Sequence, residues 1–189
     1  MKRLTIIALL AAAILGGSTG CDKETDADKT YNAYTAWRDF NDDWLLEQQA
    51  RTNPDGTPYF ETAVASWDPT AFVLLHFFND RSLTADNLVP LFTSTIDTRY
   101  YLTLADDTPV DSSYTITANG PGIFRTALNE VILGWAIAYG HMHVGDSVEC
   151  IIPYQQAYDN QSTGSVPPYS NLKYNMSLVD IYAYEVNPN

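Results

Sequence analysis

The groups in this 189-residue chain that could carry covalent or metal chemistry are few and scattered. Two cysteines occur, Cys21 and Cys150. Cys150 sits beside Ile151 in an apolar, strand-like run, which makes it a buried and inert thiol rather than a nucleophile. His76, His141 and His143 are the only imidazoles, and their spacing matches no zinc-ligand pattern. They read as core and solvent-facing histidines, so neither a metal nor an organic cofactor is expected. No Gly-rich phosphate loop occurs, and Gly120-Pro121-Gly122 reads as a turn. With 23 Asp+Glu against 10 Lys+Arg the formal net charge is −13. A nucleic-acid partner is excluded, because phosphate binding needs clustered cations. The abundant chemistry is aromatic: 13 Tyr, 4 Trp and 7 Phe, which suits strands or an aromatic-lined pocket.

Cys21 stands apart. Lys2 and Arg3 precede an apolar run from Leu4 to Leu15, and then Gly16-Gly17-Ser18-Thr19-Gly20. The order is a cationic start, a hydrophobic stretch too short to span a bilayer, and a small-residue cleavage site. Residues 1–20 are therefore expected to be a signal peptide. Cysteine directly after it resembles a bacterial lipobox, with Ser18 where Leu is common, so Cys21 is expected to be acylated. A lipid-anchored protein of the cell envelope follows, facing the periplasm or the surface. Residues 21–28 are polar and acidic and read as a solvated tether. They loosely resemble the export signal of surface lipoproteins in the Bacteroidetes, and equally a plain hydrophilic spacer.

The elements that must position the aromatic chemistry come next. Residues 29–56 hold an expected N-terminal helix, since Tyr31, Tyr34, Trp37, Trp44, Leu45 and Gln48 recur at three and four spacing. Asn53-Pro54-Asp55-Gly56-Thr57-Pro58 stops it. Its aromatic face packs either on the domain that follows or on a second copy. Residues 57–189 form that domain. Apolar or alternating runs at 71–78, 96–104, 148–152 and 171–184 are separated by turns, a mainly antiparallel pattern. Val131 to Met142 instead reads as a short apolar helix ending near Gly140, which a sheet must wrap. The fold class is α+β.

Three stretches carry a resemblance to a known family. They are Tyr100 to Ser113; Glu130-Val131-Ile132-Leu133-Gly134-Trp135 followed by Met142-His143-Val144-Gly145-Asp146; and Ile152-Pro153, Ala157-Tyr158, Val166-Pro167-Pro168 and Leu172 to Tyr174. In this order and at these intervals, residues 90–186 resemble the FKBP-type peptidyl-prolyl cis-trans isomerases, and 59–89 do so more weakly. The implied fold is a twisted antiparallel sheet curled around a short helix.

The resemblance also implies a proline pocket. Trp135 would be its floor, partly exposed in the concavity, and Val131 and Ile132 would line it, with the Ile132 amide meeting a carbonyl. Tyr100, Asp111 and Tyr158 would rim it as the catalytic groups, and Val166 would close one side. Tyr174 stands where Phe is usual. Asp111 before Ser112-Ser113 is also a natural turn former, and Tyr158 and Tyr174 are equally plain loop and strand aromatics. The departures are Val110 for the usual Phe, Gly122 near another usual aromatic, Asp159 for Gly, and a 158–166 loop about one residue short. Two extra residues between Asp111 and Phe124 blur that alignment. The expectation is a pocket with its floor intact and its walls reduced, each lost wall residue removing about 1–3 kcal/mol of transition-state packing. The implied activity is prolyl isomerisation of proline-containing polypeptides. The alternative is a binding module with the same fold and no catalysis.

Overall fold

The structure is a computed structural model that describes residues 25–184. Cys21, the signal segment and the start of the tether lie outside the described residues. Two helices come first, α1 (Asp26–Ala33) and α2 (Thr35–Ala50). Helix begins inside the stretch read as tether, and for a local reason. Thr25 Oγ1 accepts from the Asp28 amide at 3.1 Å while Asp28 Oδ2 accepts from the Thr25 amide at 2.9 Å. This capping box satisfies two orphan donors and puts acid at the positive end of the helix dipole. A break at Tyr34 divides what the spacing alone reads as one helix.

The rest is a seven-stranded antiparallel sheet and one helix. The strands are β1 (Glu61–Ala65), β2 (Asp68–Phe77), β3 (Thr95–Leu104), β4 (Pro109–Ser112), β5 (Phe124–Ala127), β6 (Ser147–Ile152) and β7 (Leu172–Ala183). Their spatial order is β1-β2-β6-β7-β3-β4, and β5 also pairs with β3. The helix α3 (Leu133–Gly140) lies between β5 and β6 in sequence. It is apolar on every side, and Gly134 to Tyr139 are all buried. The sheet curls over it, as an apolar helix requires.

Period-two alternation assigns each sheet residue to a face. Val73, Leu75, Val148, Cys150, Ile152, Tyr174 and Met176 face α3 in the main core. Leu74 and Ile151 point the other way, yet they are 1% and 0% exposed. Trp44 and Leu45 of α2 cover them, together with Phe60. The stripe on α2 therefore packs in cis, on the outer face of the sheet. Tyr31 and Tyr34 do not join it and stay exposed.

One glycine is dictated by close approach. A Cβ on Gly134 would lie 2.2 Å from Ile152 Cγ2. Only glycine lets the start of α3 press on β6, and Trp135 follows it directly. At the far end of α3, Asp146 is fully buried. Its carboxylate accepts from Thr84 Oγ1 at 2.6 Å, Asn79 Nδ2 at 2.9 Å and the His143 amide at 2.8 Å. Arg81 Nε lies 3.5 Å away.

Candidate prolyl pocket

A cavity of about 480 Å³ opens at the N-terminal end of α3. Its base is aromatic. The Trp135 ring meets Tyr100, Tyr174, Tyr139 and Phe124 edge to face, with centroids 5.2, 5.5, 5.5 and 6.1 Å apart. Such pairs add about 0.5–1.5 kcal/mol each beyond their area burial, so they hold one another in fixed orientations. Trp135 is only 4% exposed, less than its role as an open floor implied. The four rings around it take up the space. Its indole Nε1 is buried without a well-formed hydrogen bond. Burial holds the Tyr174 phenol well above its usual pKa, with the neighbouring Trp135 N–H acting in the opposite sense.

Register explains why the first rim groups meet. Strands β3 and β4 pair Leu102 with Asp111 and Tyr101 with Ser112. Ser113 then fastens the backbone of Tyr100, donating its N–H to the Tyr100 carbonyl at 3.0 Å and accepting the Tyr100 N–H on Oγ at 3.0 Å. The Tyr100 hydroxyl donates to Asp111 Oδ2 at 2.7 Å. The Ser112 amide donates to Asp111 Oδ1 at 2.7 Å. Burial first, and then the Asp111 carboxylate, keep the Tyr100 phenol protonated far above its usual range.

The second rim comes from the 153–171 loop between β6 and β7. Tyr158, Thr163, Gly164, Ser165 and Val166 face the cavity from it. No hydrogen bond occupies the Tyr158 hydroxyl among the described residues. Burial, then the Asp111 charge, raise its pKa, so it remains a donor. Val166 is buried and closes the side. Asp159, where the resemblance has glycine, takes φ +52°. That is the left-handed region which glycine enters freely and which costs other residues energy, least of all Asn and Asp.

Val131 and Ile132 line the third side. Ile132 caps α3 in an extended conformation, and its own N–H makes no hydrogen bond among the described residues. That donor remains free for a ligand carbonyl.

Every residue named from the sequence as rim, floor or wall lines this one cavity: Tyr100, Val110, Asp111, Val131, Ile132, Trp135, Tyr158, Val166 and Tyr174. The wall at Gly122 needs correction. Gly122 sits in a turn at φ +71°, against Arg99 and Tyr114, and lines nothing. Phe124, two residues on, enters the cavity wall and stacks edge to face on Tyr100 at 5.7 Å. The two extra residues before Phe124 are absorbed in the turn, so the aromatic wall survives. Phe124 is the wall residue that spacing missed, and its place at the start of β5 was the available signal. Val110 stands in the wall beside Leu102 where the resemblance has Phe. Glu130 was also missed; it stands at the rim with Asp111, and no cation lines the cavity.

Among the described residues no group of His, Cys, Asp and Glu is arranged to hold a metal. Cys150 is fully buried, and burial pushes its thiol pKa far up. His76 stacks on Tyr59 at 3.8 Å, far from any ligand role.

Comparison with known proteins agrees with this geometry. Residues 91–179 match the profile of the family described as FKBP-type peptidyl-prolyl cis-trans isomerase. The chain is 37% identical over 93 residues to the macrophage infectivity potentiator of Trypanosoma cruzi, covering 49% of this chain and 45% of that one. It is 32% identical over 92 residues to the FKBP-type isomerase FkpA of Escherichia coli K12, covering 49% and 33%. The matches thus span less than half the length of these two curated relatives. In fold, the chain is similar to a peptidyl-prolyl cis-trans isomerase from Pseudomonas syringae pv. tomato, with a TM-score of 0.61 over 78% of this chain and 95% of that one at 19% identity. Residues 91–179 are thus similar, in sequence and in fold, to the FKBP-type peptidyl-prolyl cis-trans isomerase family.

Proposed function

We propose that this protein is a peptidyl-prolyl cis-trans isomerase that acts on proline-containing polypeptides of the cell envelope, where it is held by a lipid on Cys21. The observation that carries the catalytic reading is the ring box around Trp135 with a hydrogen-bonded Tyr100–Asp111 pair and a free Tyr158 hydroxyl at its mouth. Prolyl rotation breaks no bond. Its barrier of about 18–20 kcal/mol is the loss of amide resonance. The twisted amide shares less charge between oxygen and nitrogen, so a dry aromatic cavity favours it over the planar, hydrated ground state. Trp135, Phe124, Tyr174, Val131 and Ile132 supply that surface for the prolyl ring. The free Ile132 N–H and the Tyr158 hydroxyl hold carbonyls on either side, and Asp111 faces the rotating one, held in place by Tyr100 and Ser112. No nucleophile, metal or organic cofactor enters.

The reading is tested by a protease-coupled isomerisation assay with a tetrapeptide anilide that contains one Xaa-Pro bond. Acceleration above the uncatalysed rate is expected, and Asp111→Ala combined with Tyr158→Phe should remove most of it in a folded protein. No acceleration by the parent overturns the catalytic reading. Peptide binding without acceleration would favour the second reading, a polypeptide-binding module, for which Val110 in the wall is the specific support. The anchor is tested separately: Cys21→Ala should move the protein from the membrane fraction to the soluble one, and unchanged partition refutes it.

A further inference from the structure

Asn41 is the one buried residue of α2, at 0% exposure. An amide at that position is costly unless every polar atom is satisfied, and an apolar residue would bury more cheaply. Two of its three bonds lead to Asn171. Oδ1 accepts the Asn171 N–H at 2.8 Å, and the Asn41 carbonyl accepts from Asn171 Nδ2 at 2.5 Å. Nδ2 donates to the Trp37 carbonyl at 2.9 Å. Asn171 in turn accepts the Tyr154 N–H on Oδ1 at 3.0 Å. One buried pair of amides therefore ties both ends of the 153–171 loop to each other and to α2. Trp37 adds a second tie, donating its indole N–H to Ser170 Oγ at 2.9 Å, and Ser170 donates to the Pro167 carbonyl at 2.8 Å.

The loop needs such ties. Asp159 and Tyr169 both take left-handed conformations, at φ +52° and +60°, and the Tyr169 N–H closes on the Asp159 carbonyl at 2.7 Å. Strained residues keep such angles only where the surroundings over-determine them. Tyr158 and Val166, which rim the cavity, lie between the anchored ends. Asn41 and Trp37 do not line the cavity.

We propose that α2 is a positioning element for the pocket: Asn41 and Trp37 hold the base of the 153–171 loop and thereby set where Tyr158 and Val166 stand. Asn41 acts through Asn171, and Trp37 through Ser170. The inference rests on the isomerase reading for its kinetic readout alone.

The experiment compares the full chain with its Asn41→Ala and Trp37→Phe variants, at a temperature where all are folded. The control is Leu75→Ala, which truncates a core residue of β2 that neither lines the pocket nor hydrogen-bonds the loop through its side chain. The expected result for Asn41→Ala is a kcat/KM about tenfold lower, carried mostly by KM, with a smaller loss in Trp37→Phe and little change in Leu75→Ala. Tyr158→Phe should cost less in the Asn41→Ala background than in the parent, because the hydroxyl is already misplaced. Amide hydrogen exchange at 154–170 should quicken in Asn41→Ala and stay unchanged in Leu75→Ala. Should the parent prove inactive, the isomerase reading fails. The positioning inference is then decided by loop exchange and by the affinity for a Leu-Pro peptide, read from tryptophan fluorescence. Unchanged loop exchange in Asn41→Ala overturns it, as does full additivity with Tyr158→Phe or an equal loss in Leu75→Ala.

Discussion

The Tyr100 hydroxyl donates to Asp111 Oδ2 at 2.7 Å across the mouth of the pocket, from the neighbouring strand. The bond joins a buried ring to an exposed carboxylate, so it couples the aromatic box to the rim. It also assigns the carboxylate oxygens: one is taken by Tyr100 and the other by the Ser112 amide. Asp111 is thereby fixed in orientation while its charge still faces the cavity.

Tyr100→Phe separates that orientation from packing. The ring and its edge-to-face contacts remain, and Asp111 keeps the Ser112 amide. Stability should fall by about 1 kcal/mol or less, the net worth of one hydrogen bond at a partly solvated site. kcat/KM should fall about three- to tenfold in the coupled assay. Parental kcat/KM would show that the bond does not matter for turnover.

Val110→Phe tests the reduced wall. The position faces the cavity at partial exposure, so the added ring has space to occupy. The prolyl ring would gain contact worth about 1 kcal/mol, by area. A few-fold rise in kcat/KM is expected with circular dichroism unchanged. A lower or unchanged value would mean that the cavity beside Leu102 does not limit the reaction.

Removing α2 should destabilise the sheet without altering how the chain associates. Trp44 and Leu45 cover Leu74 and Ile151, and buried apolar side chains contribute about 1.5–3 kcal/mol each. A chain beginning at Thr57 should lose about 5 kcal/mol by urea titration while remaining monomeric or dimeric like its parent. A change from dimer to monomer on truncation would instead identify α2 as an association face.

Asp146 gives the pH dependence. Burial raises its pKa, but bonds from Thr84, the His143 amide and Asn79, together with the Arg81 charge, outweigh burial and hold it below the ordinary value of 3.8. The unfolded chain therefore binds the proton more tightly. The contribution of Asp146 is complete above the ordinary value and is lost as pH falls from 3.8 through the lower native value. Asp146→Ala should cost about 3 kcal/mol at pH 7, because it leaves Thr84, Asn79 and the His143 amide without their acceptor. Its stability should then vary less with pH below 4 than the parent's. An equally steep acid limb in the variant would sink this assignment.

Much of the fold is legible in residues taken singly or in pairs. The alternation along 96–104 and 171–184 reads out β3 and β7, because a half-buried strand must repeat every two residues. The apolar run around Trp135 demands a buried helix, and strand patterns on either side of it make a curved sheet the cover. The rim and the base are named only through the family resemblance that Asp111, Val131-Ile132, Trp135, Tyr158 and Tyr174 carry, and these residues line one cavity. Local capping was passed over: Thr25 and Asp28 at i and i+3 start α1 inside the stretch read as tether.

What tertiary structure alone decided are distances between groups remote in sequence. Gly122 and Phe124 are indistinguishable as wall candidates until the turn absorbs the two extra residues and β5 pairs with β3. Burial of Trp135 depends on three rings from β3, β5 and β7 converging on it beside the local i+4 contact with Tyr139, and that convergence no local pattern encodes. The aromatic stripe of α2 predicts a face but not its partner, since apolar burial is non-directional and a second copy would satisfy it as well. The partner is specified by Asn41 and Asn171, 130 residues apart, whose hydrogen bonds exist only at one register of helix on loop. Hydrophobic periodicity is a property of neighbours in sequence. Directional bonds between distant residues exist only once the chain has closed on itself, and here they hold the loop that rims the pocket.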